Sequence, residues 1–200
     1  MRIEIRHRLV RVALLVILSA LSSGCIHFAP LPFSGQRDEA RALGKIFKTL
    51  NSDAQQEVAQ ENKVARELRI TLDELDQLKG PDFTKRFNSY SEQLMAIQSK
   101  RRELQQALSS RQWNSPMVRA VQQGGVQQLQ QDIARNQKWI ELAEGVRLRV
   151  ELGRKQDFPE LTMLSHQLDI FLASTSDLNP FTNRIRALQE AFRLSETDFE

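Results

Sequence analysis

The stretch PDFTKRFNSYSEQLMAIQSKRRELQQALSS, Pro81 to Ser110, decides the fold. Phe83, Phe87, Tyr90, Leu94, Ile97, Arg101, Leu104 and Leu108 recur at alternating spacings of four and three. This is an unbroken heptad seam whose one charged member is Arg101. A helix from about Asp82 to Gln112 would be roughly 45 Å long at 1.5 Å per residue. A stripe of that length is buried only when other helices pack along it.

Candidates for those helices lie on both sides. Upstream, Leu43, Phe47, Leu50, Ala54, Val64, Ala65, Leu68, Leu72 and Leu75 mark a second long amphipathic stretch, closed by Gly80-Pro81. Asn51-Ser52-Asp53, with Gln55 following, has the form of a capping box that would begin a new helix. The apolar phase nevertheless runs through it from Phe47 to Ala54, which favours one continuous or gently kinked helix. Glu57 and Glu61 interrupt this stripe, so thinner packing is expected there. Downstream, Ser115 is placed as an N-cap with Pro116 at the first helical position. Val126, Leu129, Ile133, Ile140, Ala143 and Val150 supply the third stripe. Gly124-Gly125 near its start would cost about 2 kcal/mol in a helix interior relative to alanine, and marks a kink or a close helix contact.

Two shorter helices complete the pattern. One starts at Asp157-Phe-Pro-Glu160 and carries Leu161, Leu164, Leu168, Phe171 and Leu172. The other starts at Asn179-Pro180 and carries Phe181, Ile185, Leu188 and Phe192. Their short connection predicts a helical hairpin that caps or flanks the long helices. The fold class read from these patterns is all-α: an elongated antiparallel helical bundle or coiled coil of three long helices with a C-terminal helical hairpin.

The amino terminus is written differently. Arg2, Arg6, Arg8 and Arg11 precede the apolar run Val12–Leu21, which has about half the length of a membrane-spanning helix and matches the apolar core of a signal peptide. Small residues then lead into Cys25, the chain's one cysteine. The run Leu21-Ser22-Ser23-Gly24-Cys25 resembles the lipobox of bacterial lipoproteins. Ser22 stands where leucine is commonest in that pattern, and Leu21 lies one place before it. The resemblance covers residues 1–25 alone. It implies a signal peptide over 1–24, lipidation of Cys25 with palmitate, and attachment to membrane lipid. Ile26, where an aspartate would retain a lipoprotein at the inner membrane, implies the outer membrane, facing the periplasm. Residues 25–35, with Pro30, Pro32 and Gly35, read as a tether, and 36–200 as a single helical-bundle domain. Phe28 and Phe33 suit either the lipid interface or packing on the domain.

Charge narrows the function further. The chain has 28 basic and 25 acidic residues, a formal net charge of +3. The first 24 residues hold four of the basic and one of the acidic ones, which leaves 24 of each. A nucleic-acid binder needs a basic face, so no nucleic-acid partner is expected. Lys100-Arg101-Arg102 reads as part of a solvated helix face.

No catalytic, cofactor-binding or metal-ligating residues are assigned. His7, His27 and His166 are the three histidines and have no metal-ligand spacing. Ser165, His166 and Asp169 are neighbours on one helix, a poor arrangement for converging on a substrate. Asp73, Glu74 and Asp76 lack calcium-loop spacing. Trp113 and Trp139 read as packing residues. The function expected is that of a non-enzymatic scaffold, adaptor or accessory subunit holding an envelope protein partner near the membrane, since long amphipathic helices offer grooves for other helices. The alternative is a periplasmic chaperone or inhibitor that sequesters an apolar segment. An envelope enzyme ranks below both. Oligomerisation through the helical seams is a further expectation. Arg101 itself is expected at the seam's edge, its stem over apolar neighbours and its head in water. The other possibility is a buried pair with Glu57 or Glu61.

Overall fold

A computed structural model describes residues 34–154, 156, 158–174 and 180–200. Every regular element among them is helical: α1 Ser34–Asp73, α2 Gly80–Ser109, α3 Pro116–Glu151, α4 Pro159–Ser174 and α5 Thr182–Phe192, followed by a 3₁₀ turn Glu196–Phe199. The protein is an all-α helical bundle. The apolar phase through Asn51–Asp53 is decisive, because α1 runs unbroken across it for 40 residues. It stops at Asp73, before the Gly80-Pro81 pair, which instead opens α2.

The long helices alternate in direction. Gln60 donates to Gln93 at 2.9 Å and Thr71 shares a hydrogen bond with Tyr90 at 2.8 Å, so residue numbers fall on α1 as they rise on α2. Gln98 to Gln137 and Thr84 to Glu151 set the same relation between α2 and α3. Pro116 and Ser115 start α3 as the sequence requires, with the Ser115 hydroxyl accepting from the Val118 amide. Glu39 completes this end of the bundle. Its carboxylate accepts from the Asn114 and Ser115 amides at 3.0 and 2.8 Å, and those bonds hold its pKa below the ordinary value.

The two short helices flank the long ones, each covering a different half. Phe171 of α4 meets the edge of Trp139 at 4.9 Å, and Arg69 pairs with Asp169 at 2.7 Å. Phe181, just before α5, packs at a tilt against Phe47 with ring centres 5.1 Å apart, while Arg37 donates to the Arg193 carbonyl at the far end. The core divides accordingly. One cluster joins Leu68, Phe83, Phe87, Leu94, Trp139, Val146 and Leu164, and the other joins Leu43, Phe47, Leu108, Trp113, Val118, Phe181 and Phe192. Gly125 explains the paired glycines, since a β-carbon there would lie 2.9 Å from both Leu108 and Phe47. It marks a close helix contact, and α3 continues through it. Gly44 makes the same concession to the Phe199 ring, 2.1 Å from where a β-carbon would sit. Every member of the Phe83–Leu108 seam is buried.

Candidate functional site

Between the two apolar clusters lies a layer of polar side chains. Glu61 from α1, Arg101 from α2 and Asn136 from α3 are 0%, 2% and 0% exposed. The Glu61 carboxylate accepts from Arg101 Nη1 at 3.1 Å and Nη2 at 2.5 Å. Arg135 reaches the same carboxylate with Nη2 at 2.8 and 3.0 Å and with Nε at 3.3 Å. With its amide nitrogen turned toward Glu61, Asn136 also donates to that carboxylate and its oxygen accepts from Arg101 Nη1 at 3.0 Å. Arg135 Nη1 pairs with Asp132 at 2.7 Å, and Arg101 Nη1 lies 3.5 Å from the Asp132 carbonyl. Two guanidiniums therefore face two carboxylates, and the layer is neutral.

These groups are committed to one another. A buried ion pair repays its desolvation only when the remaining donors and acceptors are also satisfied, and Glu61 meets that condition with three partners. Arg135 joins the layer to the surface: it is part-exposed, and its guanidinium lies 4.8 Å from the Phe171 ring centre. Burial opposes its charge, yet Glu61 and Asp132 hold its pKa above the ordinary value.

The expectation of an arginine at the seam's edge is thus overturned. Arg101 lies inside, because α1 and α3 close over both sides of the seam and Glu61, 40 residues away, supplies the carboxylate. Of the two acids that interrupt the α1 stripe, Glu61 is the partner. Glu57 instead faces an open cleft of about 340 Å³ lined by Leu50, Asp53, Lys100, Glu103 and Leu104. Burial raises its pKa, with Arg101 and Lys100 working in the opposite direction. Lys100 and Arg102 do lie on a solvated face, bonded to Glu103 and Gln98.

The remaining candidates are dispersed. His166 is exposed, and Asp169 is taken by Arg69. Asp73 pairs with Arg69 one turn back on α1, Glu74 with Arg86 of α2, and Asp76 with Gln156, so each acid of this run is engaged. Trp113 and Trp139 are packed in opposite core clusters. No metal-ligating cluster of three or more His, Cys, Asp or Glu occurs among the described residues. None of the described helices is long and apolar enough to cross a membrane. Cys25, His7 and His27 lie outside the described residues. No family model matches this chain, and it has no significant similarity to any curated protein or solved structure.

Proposed function

We propose that the protein is a lipid-anchored lipoprotein of the bacterial envelope whose helical bundle serves as a non-enzymatic scaffold or adaptor for a partner protein. One observation carries the reading: the basic, apolar and small-residue sequence that closes on Cys25, nine residues before α1 begins. Acylation with two or more chains gives stable attachment where one does not. Anchoring confines the bundle to a surface and raises the local concentration of any membrane-bound partner. The absence of aspartate at Ile26 favours the outer membrane, facing the periplasm.

What the bundle offers a partner is its outer faces, since the α2 seam is filled by the chain's own helices. Leu148 on α3, Leu152 just after its end, and Met163 and Ile170 on α4 expose apolar side chains, Leu152 to 76%. They also support the second reading, a chaperone or inhibitor holding an apolar segment.

Labelling with radioactive palmitate tests the anchor. The natural chain should incorporate label and sediment with outer membrane in a density gradient, and Cys25→Ser should do neither. Label retained by the Cys25→Ser chain would overturn the lipoprotein reading. Crosslinking in intact cells followed by purification from membranes tests the adaptor. A single stoichiometric envelope protein is expected, whereas many unrelated unfolded chains would favour the chaperone.

A further inference from the structure

Seven residues either side of the ionic layer, all three long helices return to buried apolar side chains. On α1 the neighbours of Glu61 are Ala54 and Leu68; on α2 those of Arg101 are Leu94 and Leu108; on α3 those of Asn136 are Leu129 and Ala143. All six are 3% exposed or less. A seam repeating every seven residues has an inherent ambiguity: a helix that slides by one heptad, about 10 Å at 1.5 Å per residue, finds apolar positions opposite apolar positions again. The turns do not forbid it. Glu74–Lys79 and Ser110–Ser115 are six residues each, and at about 3.5 Å per extended residue they can absorb such a shift.

The polar layer removes the ambiguity. If α2 slid by a heptad, Arg101 would lie against Ala54 or Leu68, a buried guanidinium with no carboxylate, and Glu61 would face Leu94 or Leu108. A polar residue at one core position of a coiled coil sets register in this way, at some cost in stability. We infer that Glu61, Arg101 and Asn136 form a register lock, a conformational device that selects one axial alignment of α1, α2 and α3. By the same means it disfavours slid or swapped pairings between copies of the chain. This inference is independent of the lipid anchor.

Cysteine-pair reporters across α1 and α2, bridged by a short bis-maleimide, test it in the full chain with Cys25→Ser. Gln60→Cys with Gln93→Cys reports the native register, because the amide tips of those two side chains meet. Gln60→Cys with Arg86→Cys reports a slide of one heptad. With the layer intact, the reagent should bridge the 60–93 pair alone. With Glu61→Leu, Arg101→Leu and Asn136→Leu together, crosslinking should spread to a shifted pair, accompanied by more than one species in size-exclusion chromatography. A second variant covers the case in which that chain does not fold. Arg101→Leu with Leu94→Arg moves the guanidinium one heptad along α2, and crosslinking should move with it from 60–93 to 60–86. Crosslinking confined to 60–93 in either variant would overturn the lock.

Discussion

At the scale of single residues, energetic weight is concentrated where the helical pattern is broken. Removing one partner of a buried pair leaves the other charge without compensation, at a cost of about 3–5 kcal/mol. Arg101→Leu strands Glu61 with only Arg135 and Asn136, and should lower the melting temperature by roughly 10 °C in a chain of this length. Adding Glu61→Leu should restore much of that loss, so a double-mutant cycle over the two positions measures their coupling. Glu57 is the contrasting case. Burial raises its pKa, so the folded chain binds that proton more tightly than the unfolded chain. Stability from this group therefore increases as pH falls through the raised value, and the penalty is borne at neutral pH. Glu57→Gln should raise the melting temperature at pH 7, with the gain shrinking to nothing once the pH lies below the ordinary carboxyl range.

At the scale of elements, boundaries follow local chemistry and partners do not. The α2 seam, the continuity of α1 and the Ser115-Pro116 start of α3 were legible because each depends on residues within a few turns. The periodicity that placed Arg101 on the apolar face was also local. What it lacks is the identity of the opposing face, set by packing of segments 40 residues apart, and so periodicity alone leaves the arginine at the edge when it belongs inside. Glu39 was invisible for the same reason, since the amides it caps lie 75 and 76 residues away. Cys25 is legible only as sequence. The end of α5 offers a local test. Arg193 sits in the left-handed region at φ 52°, where glycine is the usual occupant because a side chain costs about 1–2 kcal/mol. Glycine loses more backbone entropy on folding, which offsets part of the gain. Arg193→Gly should therefore stabilise the chain by about 0.5–1 kcal/mol, read as a rise of roughly 2–3 °C in the melting temperature.

At the scale of the whole bundle, the question is whether two apolar cores divided by an ionic layer behave as one cooperative unit. The short helices are private to one half each, whereas α1, α2 and α3 pass through the layer without interruption. A state with one half unfolded must therefore end three helices together at Glu61, Arg101 and Asn136. Each new end leaves backbone groups without intrahelical partners, and the layer loses the close packing that holds its donors and acceptors in place. These penalties fall on the half-open state alone, so it should be poorly populated and the halves should melt together. The chain carries its own reporters: Trp113 lies in the core covered by α5 and Trp139 in the core covered by α4. With Trp113→Phe and Trp139→Phe prepared separately, the remaining indole in each reports one half. After correction for the stability change of each substitution, urea transitions followed by fluorescence should coincide with each other and with helix loss by circular dichroism. A separation between the two indole transitions that persists after this correction would show that the ionic layer uncouples the cores.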